Sequence, residues 1–342
     1  MNARGVQLTL RTRVELGDYA ADAVWSPDGR LLVVAGGQGA LLWIDATATD
    51  ATAQPFGEHA GGVLALAWQG GGRLFATSGQ DGEVRLWDAR QREARVIHTS
   101  ATWSECLAFA SHGRLLAVGT GRSLQVFDGT GKLLAQPQPP PQAGVIAALA
   151  WRARTSELAA VGNGGMRLYR CEPQLQVREF AMSGACLTAS FSPDGRVLAA
   201  GTQDGAVQYW NIAAATQSQL RGYGTKVALT SWSSNSRYLA TAADQQIVVW
   251  DFSGAGPQER APQELAAHTA RLTQLAFQPQ GPLLAAGARD RRVTLWRTAQ
   301  PQQPIDACLL GDEVALLRWS NDGRQLGAAD RSGVLSLYAL SG

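Results

Sequence analysis

One unit recurs eight times along this chain, and any fold must accommodate all eight copies. The clearest copy spans residues 63–88, VLALAWQGGGRLFATSGQDGEVRLWD. It holds three runs of strand-forming residues, the first two separated by the glycines at 70–72 and the last two by Gly79-Gln80-Asp81-Gly82. Runs of β-formers bounded by Gly and Asp-Gly signal tight antiparallel hairpins, so each unit predicts a three-stranded meander. An aromatic residue closes the first run at Trp25, Trp68, Phe109, Trp151, Phe191, Trp232, Phe277 and Trp319, in steps of 43, 41, 42, 40, 41, 45 and 42 residues. A second aromatic closes the third run in step, at Trp43, Trp87, Phe127, Tyr169, Trp210, Trp250, Trp296 and Tyr338. A period of this length, supplying about four strands per unit and ending in Trp-Asp, is the signature of a propeller blade.

At these residues the chain resembles the WD40 repeat family. Trp-Asp stands intact at Trp87-Asp88 and Trp250-Asp251 and is altered at Trp210-Asn211, Trp296-Arg297 and Phe127-Asp128. The Ser-Pro-Asp-Gly turn is complete at 26–29 and 192–195, and Ser320-Asn321-Asp322-Gly323 is close to it. Gly57-Glu58-His59 supplies the glycine and histidine that precede a blade, with His268 at the equivalent place. The resemblance implies an all-β fold: a closed propeller of eight four-stranded antiparallel blades. A seven-bladed ring would require one repeat to be misassigned, against the even spacing of all eight aromatic pairs.

The repeat runs from end to end, so residues 1–342 are expected to form a single domain; division would leave half-rings with open sheet edges. A net charge of +2 does not suit a chain built mainly for nucleic acid or an acidic membrane surface. No signal-peptide core and no apolar run of membrane-spanning length is present, so a cytoplasmic location is expected. Cys106, Cys171, Cys186 and Cys308 lie far apart without a Cys-x-x-Cys pair, as small buried thiols of a reducing compartment would.

Residues 6–16 alternate with period two: Val6, Leu8, Leu10, Thr12, Val14 and Leu16 on one side, polar residues between. This is the pattern of a half-buried strand. The eighth unit, 314–340, supplies three strands of its own. The N-terminal strand 6–16 is therefore predicted to pair with 334–340, complete the last blade and close the ring. Other fourth strands are expected near 53–56, 94–98, 132–135, 176–180, 217–220, 263–266 and 305–310. Antiparallel connectivity puts the fourth-to-first and second-to-third loops on one face, here the top, and the remaining loops on the bottom. The proline run QPQPPPQ at 136–142 is expected to form a stiff, extended top loop.

His59, Thr77, Asp81 and Trp87 stand where the resemblance implies a structural hydrogen-bond tetrad. A histidine, a hydroxyl and a carboxylate also evoke a hydrolytic triad. The structural role is favoured because the aspartate recurs six residues before the closing tryptophan at Asp204, Asp244 and Asp290. The second histidine, His268, has Asp290 and Trp296 but Ala286 at the hydroxyl position, which predicts a full tetrad in the second blade only.

Ten of the eleven tryptophans occupy the repeated core positions, and Trp103 does not. Trp103 falls in a top loop, with Tyr19 and Tyr223 in equivalent loops. These aromatics are candidate interface anchors, the other reading of Trp103 being that it folds back on its own loop. Arg271, Arg289, Arg291, Arg292 and Arg331 fall in top loops of the last two blades, with Arg122 in the third; such a cluster suits an acidic or phosphorylated peptide. Arg30, Arg73, Arg114, Arg196, Arg237 and Arg324 each follow a repeat aromatic by five residues, which reads as a solvated bottom rim. No phosphate loop, His-Glu-x-x-His or paired-metal pattern occurs. The expectation is a non-enzymatic, monomeric scaffold without cofactor or metal that binds a protein or peptide through its top face; the alternative is a small-ligand binder or enzyme using the channel, where Asp22, Gln274 and Arg318 converge.

Overall fold

The computed structural model describes residues 5–137, 144–180, 182, 184–254, 256–298 and 302–341. Most of the proline run, residues 138–142, lies outside them, so its expected conformation is not described here. Eight four-stranded antiparallel sheets follow one another around a ring. Blade 2 shows the plan: first strand Val63–Trp68, second Leu74–Gly79, third Glu83–Asp88 and outer Glu93–Thr99, each paired with the next. The outer strands fall where the sequence places them. That of blade 3 is reduced to Leu133–Ala135, as an edge strand facing solvent can be.

The apolar core is divided among the joints between blades. One cluster joins Val33, Ala35, Leu41 and Trp43 of blade 1 to Val63, Leu66, Phe75 and Trp87 of blade 2, and corresponding clusters fill the other seven joints. A strand in the middle of a blade is therefore covered on both faces. This is why Leu115–Thr120, Glu157–Gly162 and Leu283–Ala288 are buried along their whole length and why small residues mix with large ones there.

Apolar faces in contact do not fix an angle, and polar bonds cross every joint. The indole N–H of Trp25, Trp151, Trp232 and Trp319 donates to the carbonyl of Arg318, Ala108, Ser190 and Ala276 respectively, each the residue just before the matching aromatic of the preceding blade. On the bottom face the residue after the first-strand aromatic takes one of two forms in seven blades, blade 3 having Ala110 there. Ser26, Ser192, Ser233 and Ser320 close their own turn by bonding Asp28, Asp194, Asn235 and Asp322. Gln69, Arg152 and Gln278 instead reach forward to the carbonyls of Gly113, Gly195 and Gly323 in the next blade, at 2.7–2.8 Å. The joint between blades 1 and 2 has Leu66 N–H on Asp22, and that between blades 6 and 7 has Ser234 on the carbonyl of Gly281.

The N-terminal strand Gln7–Glu15 pairs antiparallel with Val334–Ser341, from Gln7 opposite Ser341 to Glu15 opposite Val334, with a bulge between Leu10 and Thr12. It completes blade 8 as the alternation predicts. It also binds both neighbouring blades: Leu8 N–H donates to Asp306 of blade 7 at 2.6 Å, and Arg11 donates to the carbonyl of Ala46 in blade 1 at 3.3 Å. Val14 and Leu16 are buried in the cluster shared with blade 1.

Candidate functional site

In blade 2 a continuous hydrogen-bond chain runs from the core to the top face. Trp87 Nε1–H donates to Thr77 Oγ1 at 2.9 Å, and Thr77 lies 2.7 Å from His59 Nε2. His59 Nδ1 faces both carboxylate oxygens of Asp81 at 2.9 and 3.0 Å. One assignment satisfies every member: the Thr77 hydroxyl donates to Nε2, and Nδ1–H donates to Asp81. Burial holds His59 below its ordinary value, so the imidazole is neutral. Burial alone would raise Asp81, but the hydrogen bonds from His59 and the Glu83 amide, with Arg85 alongside, outweigh it and keep the carboxylate ionised. Each polar side-chain atom of this tetrad is committed to a neighbour.

Blade 7 corrects the expectation that only one blade is complete. His268 Nδ1 lies 3.1 Å from Asp290, and His268 Nε2 lies 2.9 Å from Thr294 Oγ1, which also accepts the Trp296 indole N–H at 2.9 Å. Thr294 is paired directly across from Ala286. The missing hydroxyl has moved to the adjacent strand, where it reaches the same two partners.

The folded histidines set a pH dependence. Burial lowers His59, His268 and His98 below 6.5, the ordinary value. Above that pH these histidines are neutral in both folded and unfolded chains and contribute no difference. As pH falls below 6.5 the unfolded histidines take up protons that the folded ones resist, so stability decreases. Asp81 and Asp290, held below their ordinary 3.8, add to the loss at more acid pH, where unfolded carboxylates protonate first. Urea midpoints should be level from about pH 7 to 8 and fall steadily from about pH 6.5 to 5; a level profile through that second window would refute the neutral, buried assignment.

The top-face candidates separate into groups. Tyr19 is 49% exposed and lies over Gly37, where an added Cβ would sit 2.1 Å from its ring. Its loop is fixed by Asp18, which accepts the N–H groups of Tyr19 and Gln38. Trp103 is also 49% exposed. Tyr223 differs from the expectation of a surface anchor. Its hydroxyl accepts the Trp250 indole N–H at 2.7 Å and bonds Thr241 at 2.6 Å, so in blade 6 it takes the place of the tetrad histidine. Burial pushes its phenol up to about 12. A phenol filling that place gives Asp244 no imidazole partner, and Asp244 is exposed.

The structure brings Arg289 and Arg331 to one carboxylate, Glu313, at 3.7 and 3.4 Å. Arg271 joins them through its carbonyl, which accepts Arg289 N–H. Arg291 and Arg292 are exposed on the adjacent turn, with Arg292 N–H bonded to Asp290. Arg122, also exposed, stands apart on blade 3.

The channel residues do converge, but on one another. Arg318 bonds Asp22 at 2.8 Å, Gln274 at 3.2 Å and the carbonyl of Ala23 at 3.2 Å, while Gln274 donates to the carbonyl of Ala315. They tie the inner strands of blades 7, 8 and 1 together, which leaves the small-ligand reading without its polar anchors. Among the described residues no group of three or more His, Cys, Asp or Glu side chains is placed to hold a metal.

Sequence reasoning missed Thr294 and the cross-blade donors Gln69, Arg152 and Gln278. The signal for the last three was a long hydrogen-bonding side chain immediately after the first-strand aromatic.

Comparison with known proteins gives four matches to the WD40 family (WD domain, G-beta repeat), at residues 52–88, 176–211, 216–251 and 260–297. The chain is 26% identical to the B-type cell cycle switch protein ccs52B of Medicago truncatula over 254 residues, 69% of this chain and 49% of that protein. It is 24% identical to Protein FIZZY-RELATED 3 of Arabidopsis thaliana over 71% of this chain and 52% of that one. The WD repeat-containing protein slp1 of Schizosaccharomyces pombe is 22% identical over 86% of this chain and 53% of its own length. The chain thus spans about half the length of these relatives.

Proposed function

Because this chain is a WD40-repeat β-propeller protein, we propose that it acts in the cytosol as a monomeric, non-enzymatic adaptor whose top face holds an acidic segment of another protein. The observation that carries this reading is the combination of two half-exposed aromatics, Tyr19 and Trp103, with the arginines of blades 7 and 8 on the same face. Aromatic and arginine side chains are the usual anchors of interfaces, and a cationic patch favours an anionic partner. Similarity to proteins named for switching the cell cycle supports a regulatory rather than metabolic role. The cytosolic setting is supported by four free cysteines, of which Cys106, Cys171 and Cys186 are pushed up to about 12 by burial.

The test is affinity capture from native cytosol by the wild type and by the variant Trp103→Ala/Arg289→Glu/Arg292→Glu, with equal folding confirmed by thermal melting. The captured protein, once purified, should bind the variant at least about tenfold more weakly, and its affinity for the wild type should fall with salt. Equal affinity for both would overturn the top-face assignment, and loss of capture by both forms would overturn the adaptor reading.

A further inference from the structure

On the opposite face, the joint between blades 1 and 2 opens into a cavity of about 510 Å³. Leu31, Trp43 and Ala89 provide its apolar wall, and Asp45, Asp50 and Arg90 its charged rim. Trp43 is only 6% exposed, although it lines the cavity: Phe56 and Trp68 pack against it, and the guanidinium of Arg92 lies over its ring, 5.5 Å from the centroid. Arg92 is itself exposed, and its guanidinium makes no hydrogen bond or ion pair among the described residues. The ring is its one evident attachment.

We propose that this groove is a receptor for an arginine side chain of a partner protein, and that Arg92 is a resident stand-in which the partner's arginine displaces. An exposed cation on an aromatic face gains little, so displacement costs about a two- to five-fold loss of affinity at most. With Arg92 swung aside, Asp45 and Asp50 face Arg90, and Asp45 also feels Arg30 of the adjoining hollow; counted with Asp28 beside it, the two hollows together remain one charge negative. Asp45 is ionised, held below its ordinary value first by the Thr47 hydroxyl, and that bond engages Oδ1. Its second oxygen remains for an incoming guanidinium. The cavity shares Leu31, Asp45, Ala89 and Arg90 with a neighbouring hollow of similar size bordered by Ser26, Asp28 and Trp68, so the residues flanking the arginine also have room. Planar stacking on an indole beside a carboxylate favours guanidinium over ammonium.

The test does not depend on the top face or on an identified partner. Arg92 has φ 58°, in the left-handed region where glycine is at ease, so Arg92→Gly empties the groove without straining the turn. Titration with N-acetyl-arginine amide, followed by the Trp43 indole ¹⁵N–¹H resonance assigned through Trp43→Phe, should shift that resonance. Binding to Arg92→Gly should be about two- to five-fold tighter than to the wild type, and should be lost when Asp45→Asn and Asp50→Asn are added. N-acetyl-lysine amide should bind more weakly than the arginine probe. An unmoved Trp43 resonance in Arg92→Gly, or an equal response to N-acetyl-norleucine amide or N-acetyl-glutamate amide, would overturn the proposal.

Discussion

Removal of residues 1–16 should abolish cooperative folding. The deletion strips Val334–Ser341 of its outer partner along the full register from Gln7–Ser341 to Glu15–Val334, and removes the bonds to Asp306 and Ala46 as well. Loss of buried Val14 and Leu16 costs roughly 1.5–3 kcal/mol each, against a typical total stability of about 5–15 kcal/mol. The exposed edge adds an association hazard that the energy sum omits. Size-exclusion chromatography should show aggregates, and urea unfolding should be shallow; a synthetic peptide of residues 5–17 added in trans should restore a monomer. A deleted protein that remained monomeric and unfolded cooperatively at the wild-type midpoint would contradict the role given to this strand.

Trp87→Ala should be the most damaging single substitution in blade 2, costing about 3–5 kcal/mol. The ring is buried, lies nearly parallel to Phe75 at 5.9 Å and meets Phe56 edge-on at 5.1 Å. It packs so closely on Gly57 that a Cβ there would come within 2.4 Å. Truncation opens a cavity no neighbour can fill and also deprives Thr77 of a donor. Trp87→Phe separates the two effects: most packing is kept, and the lost N–H should cost about 1 kcal/mol. Chemical denaturation would measure both, and a Trp87→Ala midpoint within about 1 kcal/mol of wild type would rule out a central structural role.

The architecture was legible because it rests on periodicity. The paired aromatics, the alternation of Val6 to Leu16 and the outer strands all follow from patterns that survive without knowledge of pairing. Hydrogen-bond partners were less accessible, because they depend on which residues face each other. Ala286 and Thr294 are eight positions apart in the chain but directly opposite in the sheet, so a hydroxyl missing at one was present at the other. Tyr223 was misplaced for a related reason. Its loop position matched that of exposed aromatics, whereas an unpaired Trp250 indole and the Thr241 hydroxyl drew it inward. Arg318, Asp22 and Gln274 looked available one at a time and satisfy each other once the ring brings blades 7, 8 and 1 together.

The polar bonds that cross every joint bear on how accurately the ring must be built. Angular error at one joint is passed to the next, and the sum falls on the seam where the N-terminal strand must meet both blade 7 and blade 1. Directional bonds at every joint, whether from an indole, a glutamine, an arginine, a serine or a backbone amide, limit that accumulation, and their chemistry can vary so long as their reach does not. Drift among the eight copies is thus tolerable in composition but not in pitch, and the seam is where a change of pitch anywhere in the circle would first be felt.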